Sequence, residues 1–473
     1  MIEALCLSLV LLQDEADERA HPWNRFRGPN GTGLAADEAE YPTRLDPEQN
    51  ALWRTALPPG KSSPILSESG VFLTGHAEGQ LYVLGVERSD GSVRFRTPLE
   101  PAREGFLDQR NGPASPSAAV DGDSVVVFFQ DLGLVGLSHK GEVRWQVPLG
   151  PFDNVYGMGA SPVLVDGVAY LVCDQSTGSF ALAVDAKTGA TQWRVERPEA
   201  TSGHVTPVLW SPDGEAPRLT VAGSFLLDAY DLESGVKRWW SRGLCFEMKS
   251  VPVVHDDMLY VAGYGSPFNQ PGTLIELPDF ADQLVASDAD EDGAIGQSEM
   301  PQNVAFWFDF VDLAQDGVLD AGDWDYLRAA LSSRNGLLAL RGGGEGGDRT
   351  EDALAWSWRR SVPQLPSPLL VADRLYVLQD SGGLLSTLDP SSGEQLERGR
   401  LADAMDDYYA SPVAGGGKLY LVSRTGIVSV LAAGPGFEPL STTELEEPSD
   451  STPALADGVV YLRTDAALYA FGR

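Results

Sequence analysis

At 473 residues with 43 % hydrophobic content the chain is long enough to bury a large core, and 34 basic against 68 acidic residues give a formal net charge of −34. So large an acidic excess argues against nucleic acid or an anionic membrane as partner and favours cations and basic surfaces. Beyond the amino terminus no run approaches the roughly 18 apolar residues a membrane span needs, so no transmembrane segment is expected.

The first element in the chain is the apolar run Ala4 to Leu12, which reads as the core of a signal peptide over residues 1–20, cleaved near Ala16 or Ala20. Its flank carries Glu3 and no Lys or Arg, so a mis-assigned start or a buried segment stays open as the alternative. Cys6 follows Leu5 rather than a small residue, which argues against a lipoprotein anchor. Residues 21–50 form a leader with the run Trp23-Asn24-Arg25-Phe26-Arg27-Gly28-Pro29-Asn30-Gly31-Thr32-Gly33. No Gly-Lys-Ser/Thr follows and no strand precedes, so a phosphate loop is excluded and a peptide laid over the fold is expected.

From residue 51 onward the chain repeats. Ser63-Pro64, Ser115-Pro116, Ser161-Pro162, Thr206-Pro207, Val251-Pro252, Ser367-Pro368, Ser411-Pro412 and Thr452-Pro453 each open an alternating apolar strand, at proline spacings of 52, 46, 45, 45, 116, 44 and 41. Within a unit, as in 160–193, four short strands are joined by tight turns such as Asp166-Gly167. A second marker is an acid, a glycine four residues later and an aromatic four after that, complete in Asp185/Gly189/Trp193 and Asp231/Gly235/Trp239. Worn copies carry Ser138 for the acid before Gly141/Trp145, Phe95 after Glu87/Gly91, and Leu396 after Asp389/Gly393. The acid holds the turn's amides, the glycine takes the positive φ of a tight hairpin, and the indole packs on the neighbouring sheet as a staple. One such sheet cannot bury both faces alone, so eight units with one insertion imply an all-β chain stacked into a solenoid or a ring. The last unit lacks its fourth strand, whereas Ala51 to Leu57 is a Trp-bearing strand with no unit before it, so the amino terminus is expected to close the ring.

These repeats resemble the pyrroloquinoline-quinone-like (PQQ-like) propellers, a superfamily that includes the eight-bladed quinoprotein alcohol dehydrogenases and the non-enzymatic outer-membrane assembly lipoproteins. The leader resembles those ahead of many secreted propellers of planctomycete-like bacteria. The resemblance implies an all-β, eight-bladed β-propeller in two parts, 51–264 and 335–473, in a secreted or periplasmic protein. Ligands in such rings meet the channel face, where the loops entering each innermost strand carry Lys61, Arg110, Asn111, Tyr156, His204, Glu247, Lys249, Gln364, Tyr408, Tyr409 and Asp450. Cys173 and Cys245 fall in different repeats; a disulfide stays open, with two separate buried thiols the preferred reading.

The excess residues, 265–334, fall between the second and third strands of the fifth unit and are expected to form a small α-helical EF-hand insertion. Asp288 to Glu299 has every feature of a calcium loop: carboxylates at Asp288, Asp290 and Asp292, a carbonyl at Ala294, the sharp turn at Gly293, and Glu299 to chelate with both oxygens. A sister loop starts 24 residues on with Asp312, Asp316, Val318 (carbonyl), Asp320 and Asp323. Ala314 removes one of its ligands and Asp323 is shorter than Glu, so this site is expected to be weak, filled by magnesium or water, or a degenerate support for the first. The run Phe306, Trp307, Phe308 and Phe310 is expected to supply the insertion's own small core, with a dock onto the ring, at the fifth blade, as the alternative to an appended module. Gly342 to Gly347 matches a dinucleotide-type glycine pattern, but strand-like runs flank it and no helix is expected after it, so a loose hairpin is the reading.

Two functions compete. One is a secreted, non-catalytic scaffold that binds calcium through the insertion and a protein, glycan or small ligand on the channel face. The other is a PQQ-dependent dehydrogenase, which the resemblance implies would need a ring-bound calcium, an Asp base and usually a vicinal Cys pair. No adjacent cysteines exist, and the calcium ligands concentrate outside the ring, so calcium and not PQQ is the expected cofactor and no catalytic residues are assigned.

Overall fold

The computed structural model describes residues 23–265, 275–333, 335–343 and 346–473, so the proposed signal peptide lies outside the described residues. Eight antiparallel sheets follow one another around a channel, with their strands at 65–99, 119–148, 163–196, 208–242, 253–358, 369–400, 413–444 and 454–471. We number these blades 1 to 8. In blade 3 the strands Val163–Val165, Val168–Cys173, Phe180–Asp185 and Thr191–Glu196 pair in sequence order. The inner strands are buried on both faces because each sheet is sandwiched by its neighbours, whereas the outermost strand exposes all but the residues that reach the next blade.

The repeated marker fastens those neighbours together. Asp185 Oδ1 accepts from Thr188 N at 2.8 Å and Lys187 N at 3.1 Å, and Ser138 Oγ does the same job for Lys140 N and Glu142 N at 3.2 Å each. Trp193 of blade 3 lies on Gly235 of blade 4 and donates its Nε1–H to the Leu232 carbonyl at 2.8 Å. Trp145 rests likewise on Gly189, Trp53 on Gly91 and Trp356 on Gly393. A Cβ on Gly189 would sit 2.7 Å from the Trp145 ring, and its φ is +73°, so only glycine fits.

A second belt runs around the channel at the proline positions. Ser63 N donates to Ser117 Oγ (2.9 Å), Ser117 N to Ser161 Oγ (3.0 Å), Ser161 N to Thr206 Oγ1 (3.1 Å), Ser367 N to Ser411 Oγ (3.0 Å), Ser411 N to Thr452 Oγ1 (3.0 Å), and Thr452 N back to Ser63 Oγ (3.0 Å). Each hydroxyl thus satisfies the amide of the preceding blade's inner strand. Blade 2 enters this belt through Ser117, two residues after Ser115 of its strand-opening dipeptide. Val251 in blade 5 has no hydroxyl to offer its predecessor, although its own N–H reaches Ser367 Oγ at 2.9 Å.

The ring closes at blade 8, where Ala51–Ala56 pairs antiparallel with Ala467–Phe471. The leader then crosses the base of the channel. Trp23 O accepts from Leu66 N (2.9 Å), Asn24 O from Val120 N (2.9 Å), the Asn30 side chain pairs with both backbone groups of Leu209 (2.7 and 2.8 Å), and Ala35 N donates to Ala414 O (2.8 Å). Arg27 is fully buried beneath the ring and donates to Pro368 O at 2.9 Å.

Between Gly263 and Gly336, which are paired strand ends of blade 5, the chain leaves the ring. Helix α1 (Phe280–Ser287), short α2 (Phe308–Val311) and α3 (Ala321–Ser332) follow. Their aromatic cluster is not self-contained: it includes Phe225 of blade 4 and packs on Phe246 of the loop after that blade. Phe225 meets Tyr326 at 5.3 Å between ring centroids, Phe246 meets Phe310 at 5.4 Å, and Thr201 shares a hydrogen bond with the Tyr326 hydroxyl. The expected appended module is therefore docked on blade 4. The glycine run also departs from the expected hairpin. Gly347–Asp348 pairs parallel with the outer strand of blade 4, and a one-turn helix, α4 (Thr350–Ala353), leads back to Leu354–Trp358 of blade 5.

Candidate functional site

The first strand of each blade runs from one face of the ring, which we call the rim, down to the base that the leader covers. The rim loops therefore surround an open cup of about 390 Å³, closed below by Phe26 of the leader. Lys61, Arg110, Asn111, Tyr156, His204, Lys249, Gln364, Tyr409 and Asp450 all line it, with the hydroxyl belt forming the lower wall. Tyr408 does not: its ring is fully buried and its hydroxyl donates to Ala404 O at 2.7 Å. In an extended segment adjacent side chains face opposite ways, so Tyr409 and Asp407 turn inward and Tyr408 cannot join them. That alternation was a usable signal for Asp407. Asp380, also in the cup wall, follows the second strand of blade 6, Arg374–Leu378, away from the proline-marked loops.

The cup's cations are committed to carboxylates of the chain. Lys61 and Arg424 both pair with Asp450, the latter at 2.9 Å. Arg110 forks onto Asp108 at 2.7 and 2.9 Å. Lys249 Nζ lies 2.6 Å from Glu247 Oε2. Glu247 stands behind the cup surface and also accepts from Tyr156 OH (2.9 Å) and Gln364 Nε2 (3.0 Å). These donors hold its carboxyl below the usual range despite burial, while burial pulls the Lys249 ammonium down. The Tyr156 ring carries Lys249 at 4.4 Å and Arg110 at 4.8 Å from its centroid, and Arg424 lies 4.0 Å from that of Tyr409. Burial, then the Lys249 charge, push His204 down to about 3, so it is a neutral imidazole at pH 7. Burial pushes the Asp380 carboxyl up, although its oxygens accept from Gln364 N (2.6 Å) and Leu365 N (2.8 Å). Cys173 and Cys245 are buried separately, without a disulfide.

In the insertion, Ile295–Gly296 and Val318–Leu319 pair antiparallel and tie the two acidic loops together. Asp288, Asp290 and Asp292 each place a carboxylate oxygen within 4.8 Å of the others. Asp288 accepts from Asp292 N (3.2 Å) and Gly293 N (3.1 Å), and Glu299 from Ala289 N (2.7 Å) and Gly296 N (2.8 Å). Those amides hold the Glu299 carboxyl below its usual range. The Ala294 amide donates to Asp292 Oδ1 at 2.8 Å. In the sister loop Asp312 accepts from Asp316 N (3.2 Å) and Gly317 N (2.9 Å), Asp316 from Val318 N (3.2 Å), and Asp323 from Leu313 N and Asp320 N (3.1 Å each). Asp320 is turned to cap α3, accepting from Gly322 N (2.7 Å) and Asp323 N (3.0 Å). Ala314, Asp320 and Asp323 border a cleft whose opposite wall carries Arg197, Lys237 and Arg242 of blade 4.

The closed ring has counterparts among known proteins. Residues 176–473 match the family described as outer membrane protein assembly factor BamB. The chain belongs to that family of PQQ-like repeat propellers. No curated protein sequence matches it at a significant level. BamB from Moraxella catarrhalis superposes with a TM-score of 0.53 at 12 % identity, over 89 % of this chain and 100 % of that one. Quinohemoprotein alcohol dehydrogenase from Comamonas testosteroni gives 0.56 at 12 % identity over 97 % and 82 %. The quinohemoprotein alcohol dehydrogenase ADHIIG from Pseudomonas putida HK5 gives 0.50 at 13 % over 92 % and 78 %. At such identities these likenesses establish the eight-bladed fold alone. Among the described residues no helix is long and apolar enough to cross a membrane.

Proposed function

We propose that this propeller is a non-catalytic binding scaffold, secreted or periplasmic, whose cup receives a protein segment, glycan or small ligand and whose insertion holds calcium in its first loop. The observation that carries the non-catalytic reading is the self-pairing of the cup. Each of its cations is paired with a carboxylate of the chain itself, Lys61 and Arg424 sharing Asp450, Arg110 on Asp108 and Lys249 on Glu247, so that among the described residues no cup cation stands unpaired to meet an anionic quinone. Among the described residues the three-acid grouping within metal reach is Asp288, Asp290 and Asp292, in the insertion rather than the cup. The first loop has the carboxylates, the turning glycine and the bidentate Glu299 that a seven-oxygen calcium shell needs. In the sister loop Asp320 is spent on capping and Ala314 offers no ligand, which disfavours a second ion.

The test of catalysis is direct. Protein supplied with PQQ, calcium and a primary alcohol should reduce no electron-accepting dye above the protein-free rate. Alcohol-dependent dye reduction that requires the quinone would replace this reading with that of a quinoprotein dehydrogenase.

A further inference from the structure

The insertion and the cup meet at two consecutive residues, Phe246 and Glu247. Phe246 packs on the insertion through Phe310, the third residue of α2, whose centroid is 5.4 Å away, and on Phe225 at 5.9 Å. Ser224 Oγ donates to Phe246 O at 3.0 Å and Phe225 N to Cys245 O at 3.0 Å, so the segment is held against blade 4. The backbone of Glu247 forms a two-bond bridge with Tyr264, where the chain departs for the insertion, at 3.0 and 3.5 Å. Its carboxylate binds Tyr156, Lys249 and Gln364, which belong to the rim loops entering blades 3, 5 and 6.

These contacts form an unbroken mechanical path. The first loop is paired to the second through Ile295 and Leu319, and α2 runs directly into Asp312 of the second loop. We infer that Glu247 is a positioning residue through which the insertion sets the geometry of the cup, so that ligation of the first loop tightens the wall made by Tyr156, Lys249 and Gln364. The trigger rests on the calcium reading proposed above, whereas the joint itself rests on the contacts alone. A carboxylate shared by three rim loops moves all three when its backbone moves. A packed aromatic contact of this kind transmits a discrete shift rather than a continuous deformation.

Amide exchange followed by mass spectrometry on the full chain tests both parts. Calcium is expected to slow exchange threefold or more in segments 153–160, 243–250 and 360–366 relative to chelator, and to leave 401–410 and 445–452 unchanged. In Phe246→Ala calorimetric calcium binding should persist while the rim effect disappears, and Phe246→Leu should restore it. In chelator, Phe310→Ala should speed exchange at the same rim segments, an outcome that does not depend on calcium. Calcium binding with no change at the rim, or a rim effect that survives in Phe246→Ala, would overturn the coupling. Absence of any calcium heat would overturn the calcium trigger, and a silent Phe310→Ala would overturn the joint itself.

Discussion

Glu299 and Asp323 occupy the same place in their two loops, each bridging the amides of the second and ninth loop positions. Glu299 has one more methylene, which lets both oxygens reach a central ion, and Asp323 is held back by burial that raises its carboxyl. Glu299→Gln should therefore weaken calcium binding at least tenfold by titration calorimetry, while Asp323→Asn changes it less than threefold. Equal losses would mean that both loops bind. His204 makes a separate prediction. Its pKa is near 3 in the fold and about 6.5 when unfolded, so below pH 6.5 the unfolded chain takes up a proton the native one refuses. Stability linked to His204 is thus complete above pH 6.5 and declines as pH falls toward 3, by up to about 1.4 kcal/mol per unit. Between pH 7 and 5, urea unfolding of His204→Phe should lose up to about 2 kcal/mol less than the parent. Parallel losses would show that His204 titrates normally in the native state.

At the scale of elements the ring depends on its closing strand. A chain beginning at Pro58 lacks Ala51–Ala56, which exposes the edge of Ala467–Phe471 and removes the Trp53 staple on Gly91. Open edges of this kind template aggregation. The shortened chain should melt at a lower temperature and precipitate sooner than one beginning at Asn50, and equal melting would contradict the closure. This strand was legible in the sequence because the deficit in the last unit matched the surplus at the start. The staples were legible for the same reason: glycine, acid and indole each have one physical task at fixed spacing. The belt residue of blade 2 was not, because Ser115-Pro116-Ser117 offers two serines and only the channel hydrogen bonds distinguish them. Tyr408 departs from the expected rim set because side chains alternate along an extended segment, where Asp407 and Tyr409 take the inward positions. The role of Gly347-Asp348 as a fifth strand on blade 4 depends on a long-range parallel pairing that no local pattern announces.

For the molecule as a whole, the shared aromatic cluster changes what the insertion does. In the sequence Phe306, Trp307, Phe308 and Phe310 offer a small core and a dock onto the fifth blade alike, and the partners they meet, Phe225 and Phe246, lie in turns whose apolar residues carry no periodic signal. Yet Phe225 and Tyr326 are both fully buried against one another. Replacing 265–334 by a short turn would strip these contacts, at about 1.5–3 kcal/mol for each large side chain exposed. The shortened ring should therefore melt below the intact protein. A ligand that binds only the native state raises its stability, so chelator should lower one cooperative transition of the intact chain. Two separate transitions, only one of them sensitive to calcium, would restore the picture of an appended module.

The proposal that a calcium-holding scaffold, and not a quinone enzyme, is built on this ring is tested most directly by what the protein carries when purified from its native host. The ultraviolet-visible spectrum and the metal content of one such sample answer it together. We predict about one calcium per chain, lost in Glu299→Gln, and no quinone absorption released on denaturation. A stoichiometric quinone chromophore, with calcium retained in Glu299→Gln, would contradict it.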